Sequence, residues 1–387
     1  MTDEGTKYQT KIFTGVENRK LPQSVDEWRE RARSTLTKDA WDYLEGGAGD
    51  EDTVHENRSA FKKWRIRPRY LRDVSKRTME AEYLGQNRES PFILAPIGVQ
   101  SILHKDGEIA SARAAAKMNM PFILSTVSSI TMEEIVKKSP EGEKWLQLYP
   151  AKDKNIIRNF IKRAEKAGYS AIVITADTTM LGWRERDLNN AYLPFLRGEG
   201  LANFFSDPVF RRRLEKPPEE DLIKAIMEFI SVYVNPFFSW EDFKEICSTT
   251  EIPVILKGIT HREDVELAFK SGARAVVISN HGGRQVDGAI SSLDALEEVT
   301  ESGDLKGEIL FDSGFRHAAD AIKAIALGAS GILIGRPYAY ALSVAGREGI
   351  ELYLEQVMAE MDLEMGLSGI KNLKELNRES LYRKYYK

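Results

Sequence analysis

The sequence has a single cysteine, Cys247, among its 387 residues. That excludes an internal disulfide framework and a cysteine-based metal cluster. Several signatures of other chemistries are also missing: no Walker loop, no CxxC, no HExxH and no GxGxxG fingerprint occurs. The five histidines (55, 104, 261, 281 and 317) lack metal-ligand spacing, so no metal site is expected. No charge of one sign dominates. Lys and Arg number 55 against 59 Asp and Glu, for a formal net charge of −4, which offers no electrostatic case for nucleic acid as a partner. Apolar runs such as Ala275–Ser279 (AVVIS) and Gly331–Gly335 (GILIG) are far too short to cross a bilayer. The opening MTDEGTKYQTK lacks the basic and apolar regions of a signal peptide. The expectation is a cytoplasmic protein that engages neither membrane nor nucleic acid.

Material for a large core is plentiful, since 42% of the residues are apolar. Residues 1–90 read as an N-terminal extension. Ser24 and Glu27 form a capping-box pattern ahead of an amphipathic stretch, a second stretch, Lys38–Leu44, stops at Gly46-Gly47, and Phe61–Leu71 reads as an extended lead-in. From Pro91 the rhythm changes to short apolar runs alternating with helical patterns. The predicted strands are Phe92–Pro96, Phe122–Ser125, Trp145–Tyr149, Ala171–Thr175, Pro253–Lys257, Ala275–Ser279, Glu308–Asp312 and Gly331–Gly335. Helical stretches between them include Gly107–Met118, Lys154–Ala167, Arg262–Lys270 and Ala318–Leu327, and Gly168, Gly272 and Gly328 sit where helix-ending glycines belong. This is an α/β pattern favouring a closed (β/α)8 TIM barrel over 91–350, with a tail over 351–387, all in one domain spanning 1–387. The connection from Thr175 to Pro253 is far longer than one helix around Trp240–Ser248 needs. Its frequent Phe, Tyr and Leu argue against disorder, so residues 188–238 read as a partly ordered lid or as a packing or oligomer-contact insertion.

In such a barrel the site lies at the C-terminal strand ends. Those ends carry Gly98 and Gln100, Ser125, Gln147 and Tyr149, Thr175 and Asp177, Lys257, Ser279-Asn280-His281, Asp312-Ser313-Gly314 and Gly335-Arg336. The strongest segment is SNHGGRQVDG, Ser279–Gly288. His281 exchanges a proton near neutral pH, and Arg284 is a fixed fork suited to a carboxylate. Asp177 is either the carboxylate that orients His281 or a helix cap. Lys257, ending an apolar strand, faces an anion or a salt-bridge partner. His104, His261 and His317 sit near helix starts and read as turn or cap residues. The two last βα units, FDSGFRH and GILIGRP, fit a phosphate held by backbone N–H groups and a helix start, with Arg316 and Arg336 adding charge.

SNHGGRQVDG resembles the signature of the FMN-dependent α-hydroxy-acid oxidase and dehydrogenase family, and the resemblance runs from about Asp26 to about Leu354. It takes in YLEGGAGDEDTVHENRSAF, ILAPIGVQ, LQLYPAKD, ITADTTMLGWRERD, ILKGI and FDSGFRHAADAIKAIALGASGILIGRP. It implies FMN as cofactor and a small L-2-hydroxy acid as substrate, with O2 as acceptor, in a homo-oligomer of four or more copies. His281 then resembles the catalytic base and Asp177 its carboxylate. Tyr149 resembles the residue that bonds the substrate hydroxyl, and Lys257 the lysine beside flavin N1 and O2. Tyr43, Arg184 and Arg284 resemble the substrate-carboxylate residues. Ala95, Pro96, Ser125, Gln147, Thr175 and Ser279 match flavin-side positions; Asp312, Gly314, Arg316, Gly335 and Arg336 match ribityl and phosphate positions. Ile97-Gly98-Val99, the insert YLPFLRGEGLANFFSDPVF and the early YQTKIFTG resemble the lactate 2-monooxygenase branch, and Ser125-Thr126-Val127 stands where several family members have a tryptophan after the second strand, which argues against glycolate as substrate. A lactate oxidase and a dehydrogenase using another acceptor are the alternatives.

Overall fold

The computed structural model describes residues 3–15 and 20–384. The first two residues of the polar opening and the last three of the tail lie outside them. Helices α1 (Glu4–Phe13), α2 (Val25–Thr35), α3 (Lys38–Glu45) and α4 (Asp52–Ser59) precede the barrel. Ser24 caps α2 by accepting from the Glu27 N–H, and α3 stops at Gly46, where the chain turns extended. The lead-in forms β1 (Trp64–Ile66), and β2 (Ala81–Tyr83) and β3 (Gln86–Arg88) make an antiparallel pair.

Eight strands close the barrel: β4 (Phe92–Leu94), β5 (Phe122–Ser125), β6 (Lys144–Leu148), β7 (Ala171–Thr175), β8 (Val254–Ile259), β9 (Ala275–Ile278), β10 (Glu308–Phe311) and β11 (Gly331–Ile334). Neighbours pair in parallel around the ring, with Leu310 beside Gly331 and Ile332 beside Phe92 at the closure. Every residue of β4, β5, β6, β7, β9 and β11 is buried. Side chains fill the barrel and helices cover its outside, so these strands are mostly apolar runs instead of alternating, with Ser125, Lys144, Gln147 and Thr175 as buried polar exceptions. The outer layer includes α5 (Gly107–Lys117), α6 (Met132–Lys138) and α7 (Lys154–Ala167). Gly168 ends α7 in the left-handed region.

The long connection after β7 is folded along its length. It holds α8 (Glu185–Asn189), a 3-10 turn (Pro194–Arg197), α9 (Ala202–Phe205), α10 (Pro208–Arg211), α11 (Leu222–Tyr233) and α12 (Trp240–Ser248). Its order has a plain cause. Phe195, Phe204, Phe210, Phe229 and Tyr233 interlock, with ring centroids 4.9 Å apart for Phe204–Phe229 and 5.6 Å for Phe204–Phe210. The segment is also stitched to the barrel rim. Ala202 N–H donates to the Ser128 carbonyl (3.1 Å), Asn203 Nδ2 to the Thr126 carbonyl (3.1 Å), and Ser101 Oγ to Glu199 (2.5 Å).

The last units contribute α13 (Arg262–Lys270), α14 (Ser292–Thr300), α15 (Ala318–Ala326) and α16 (Arg336–Ser368). Helix α16 continues through residue 350, bent at Ala345-Gly346, and packs against α1 and α2. Trp28 of α2 is fully buried there and donates to Gln356 (2.9 Å). The final β12 (Leu381–Arg383) pairs antiparallel with β1. No helix among the described residues is long and apolar enough to cross a membrane.

Candidate active site

The C-terminal strand ends open into one cleft with about 1230 Å³ free of protein atoms. Its wall includes Tyr43, Ala95, Pro96, Tyr149, Thr175, Arg184, Lys257, His281, Arg284, Asp312, Gly314, Arg316, Gly335 and Arg336, all of them candidates from the sequence. Four further candidates stand behind that wall. Ser125, Gln147 and Thr175 form a buried chain, Ser125 Oγ to Gln147 Oε1 (3.1 Å) and Gln147 Nε2 to Thr175 Oγ1 (2.9 Å). Ser279 is fully buried and accepts from Lys257 Nζ (2.9 Å) and the His281 N–H (3.1 Å). Asp177 backs His281. Gln100 points away from the cleft, bonded to Tyr338 and the Ile97 carbonyl.

His281 Nδ1 lies 2.7 Å from Asp177 Oδ1. Helix capping, the other reading of Asp177, is not its role, because the carboxylate is aimed at the imidazole. With Nδ1–H donating to the carboxylate, Nε2 keeps its lone pair. Burial pushes the His281 pKa down and the nearby Lys257 and Arg184 add to this, outweighing the pull of Asp177. Burial disfavours the Asp177 carboxylate, but His281 and Lys257 more than offset it and hold its pKa below the ordinary value. The pair is therefore a neutral imidazole held by a carboxylate. His281 adopts the left-handed conformation, φ 57°, a strain that the bonds on both its backbone and its ring maintain. The close approach of Asp177 also explains Gly258. A Cβ there would meet Asp177 Oδ2 at 2.5 Å, and φ is +94°.

Lys257 pairs with Asp312 at 3.1 Å. Burial opposes its charge, but Asp312 and Asp177 raise its pKa above the ordinary value, so a buried ammonium stands at the cleft floor. Arg184 Nε donates to the Arg284 carbonyl (3.2 Å) and Arg284 to the carbonyls of Tyr43 (2.6 Å) and Gly46 (2.8 Å). The Arg284 guanidinium lies 5.1 Å from the centre of the Tyr43 ring. Burial and the like charge of Arg184 lower the Arg284 pKa, an arrangement that an entering carboxylate relieves. Tyr149 meets Tyr233 edge-on at 5.4 Å, and burial pushes both phenols above their ordinary value. At the other end, Arg316 and Arg336 flank the starts of α15 and α16, and a Cβ on Gly335 would meet nothing within 4 Å.

Three participants, Thr178, Gln285 and Tyr233, were not singled out in the sequence, and Ser313 was named there only among the strand-end residues. Thr178 donates to Asp177 (2.9 Å) and lies 3.3 Å from His281 Nδ1; its place in ADTT was the available signal. Gln285 donates to the carbonyls of Asp177 and Met180 and accepts from Arg184. Ser313 accepts from the Gly282 N–H (3.0 Å) and donates to Asp312 (2.8 Å). Tyr233 lines the cleft from α11, and nothing in an apolar stretch marks it. His261 does cap its helix, accepting from the Glu263 N–H.

The FMN-dependent dehydrogenase family matches residues 32–383. An L-lactate oxidase of Lysinibacillus sphaericus is 39% identical over 88% of this chain and 87% of its own length. The FMN-dependent alpha-hydroxy acid dehydrogenase qulF of Penicillium citrinum is 38% identical over 98% and 96%. Among solved structures, an active chimera of (S)-mandelate dehydrogenase aligns with a TM-score of 0.84 at 33% identity, covering 93% of this chain and 99% of that one. Mandelate oxidase aligns at 0.82 and 34%, covering 94% and 98%. This chain belongs to the FMN-dependent α-hydroxy-acid dehydrogenase family. It is an FMN-dependent 2-hydroxy-acid oxidoreductase, and FMN is its cofactor. The cleft fits that group: two arginines stand beside two helix starts, and a buried ammonium lines the same space.

Proposed function

We propose that this enzyme acts on L-lactate and O2 as a lactate 2-monooxygenase, yielding acetate, CO2 and water. Arg184 and Arg284, with Tyr43, receive the substrate carboxylate and set the α-carbon. Tyr149 bonds the hydroxyl. Nε2 of His281 accepts the proton that the acid loses, and Asp177 stabilises the resulting imidazolium. FMN supplies the two-electron acceptor. Lys257, held charged by Asp312, stands where negative charge develops. Ala95, Pro96, Ser125, Gln147, Thr175 and Ser279 shape or back the flavin-ring side. Asp312, Gly314, Arg316, Gly335 and Arg336 form the ribityl and phosphate end.

One observation carries the reading: the buried His281–Asp177 pair and two clustered arginines converge on a cleft whose cover is stitched to the rim through Glu199, Ala202 and Asn203. A cover fastened in this way favours retention of keto acid and peroxide long enough for them to react. Val127, Leu181, Phe195 and Tyr233 leave apolar room suited to a short side chain. A second reading, an oxidase releasing pyruvate and hydrogen peroxide, is favoured by the lactate oxidases among the relatives. Assaying peroxide and acetate in the same turnover separates the two. The proposal expects acetate in step with lactate consumed; stoichiometric peroxide without acetate would sink it.

A further inference from the structure

The segment that carries His281 and Arg284 does not hold its place alone. It is clasped to the N-terminal extension along one seam, and the seam ends on a carboxylate with no part in the chemistry above. Asp287, three residues beyond Arg284, accepts from the Asp50 N–H through Oδ2 (2.9 Å) and from the Thr53 N–H through Oδ1 (3.1 Å). Both donors lie at the start of α4 (Asp52–Ser59), whose orphan N–H groups and dipole favour an anion. Thr53 is fully buried and answers from the same helix. Its Oγ1 donates to the Val286 carbonyl (3.0 Å) and accepts from the Ala289 N–H (2.9 Å). One turn on, Asn57 and Asn280 exchange reciprocal amide bonds, both 2.8 Å. Between these points the Ala48 N–H donates to the Gly283 carbonyl (2.9 Å). Gly49 is fitted to the carboxylate so closely that a Cβ on it would lie 2.5 Å from Asp287 Oδ2.

The near end of this seam is the substrate-carboxylate pocket. There Arg284 bonds the carbonyls of Tyr43 and Gly46 and lies over the Tyr43 ring. The two segments bring Arg284 and Tyr43 together from parts of the chain 241 residues apart. By contrast, His281 is held by Ser279, Asp177 and Thr178, all on the barrel side. The side-chain contacts of Arg284 thus go to the N-terminal extension, whereas those of His281 go to the barrel side.

We infer that Asp287 is a positioning residue: by binding the start of α4 it sets Arg284 against Tyr43, and so tunes recognition of the substrate carboxylate independently of the His281 base. The inference rests on Arg284 as receiver of that carboxylate. In Asp287→Asn one acceptor oxygen becomes a donor facing an N–H, and the charge is lost while the volume is kept.

The test compares the FMN-loaded parent, Asp287→Asn and Arg284→Lys. Lactate steady-state kinetics are read across pH, and pyruvate binding to the oxidised enzyme is read from the flavin absorbance. In Asp287→Asn, KM and the pyruvate Kd rise about tenfold while kcat stays within about twofold and its acid limb does not move. Asp287→Ala gives at least the same rise. A fall in kcat without a rise in KM, or a lowered Tm with KM and Kd unchanged, overturns the inference and leaves Asp287 a purely structural clasp. If Arg284→Lys itself leaves KM and Kd unchanged, the carboxylate reading of Arg284 is what has failed. If Arg284→Lys weakens both and Asp287→Asn does not, the clasp is what has failed.

Discussion

At the residue scale, Lys257 with Asp312 and His281 with Asp177 are groups that burial would disfavour singly and that pairing makes tolerable. The Lys257 ammonium is almost wholly removed from water and is balanced by Asp312 at 3.1 Å. His281 stays neutral because burial and two nearby cations outweigh one carboxylate. The consequence for pH has a definite sign. A base whose pKa lies below the ordinary histidine value of 6.5 remains competent as pH falls toward that value. The acid limb of kcat/KM for lactate is therefore expected below pH 6.5, and a limb above it would show that the cations do not act on His281 as the geometry implies. His281→Ala is expected to retain bound FMN while anaerobic bleaching by lactate slows about 10³-fold. Bleaching at the parent rate would remove His281 from the role of base.

At the scale of elements, one buried carboxyl joins the loops after β4 and β5, which carry Gly98 and Val127. Glu108, at the start of α5, is fully buried, and its Oε1 accepts from the N–H groups of Gln100 and Ser129, both 3.1 Å. Its Oε2 has no hydrogen-bond partner among the described residues. Burial raises its pKa above the ordinary carboxyl value against the help of those N–H groups. The folded state therefore binds more protons than the unfolded chain between the two pKa values, and stability from this group falls as pH rises through that window. Glu108→Gln keeps the Oε1 acceptor and removes the ionisation. Thermal unfolding should show the variant equal to the parent near pH 5 and more stable near pH 8. A variant less stable at pH 8 would mean that the Glu108 charge is compensated after all.

At the scale of the whole molecule, the extension, barrel and last helix share one core, whose buried members run from Val25 and Trp28 to Leu381. The chain's end closes it. β12 pairs with β1, Arg378 and Arg383 flank the Trp64 ring at 5.4 and 5.5 Å, and both arginines reach Glu297. Ending the chain after Ser380 strips buried Leu381 and one of those cations. The expected outcome is a stability loss of roughly 2 kcal/mol, read as a lower Tm with KM for lactate unchanged, because the strand pair is remote from the cleft. An unchanged Tm would show that the terminal strand is dispensable.

What the sequence determined by itself follows from local rules. Strands buried on both faces are continuous apolar runs, helices end at glycines such as Gly168, and in a parallel barrel the residues following each run share one face; so the eight strands and nearly every cleft-lining candidate were legible. Distances in three dimensions were not. Whether Asp177 capped a helix or held an imidazole, and whether Lys257 met an anion or a salt-bridge partner, depended on strands brought side by side from distant parts of the chain. The same holds for Tyr233, which no local pattern separates from the apolar residues around it until α11 folds over the cleft. Apolar periodicity reports which side of an element is buried, whereas the partner of a buried charge is decided by packing between elements. The length surplus beyond a plain barrel was visible from the start; tertiary structure alone laid part of it along the rim and wall of the cleft.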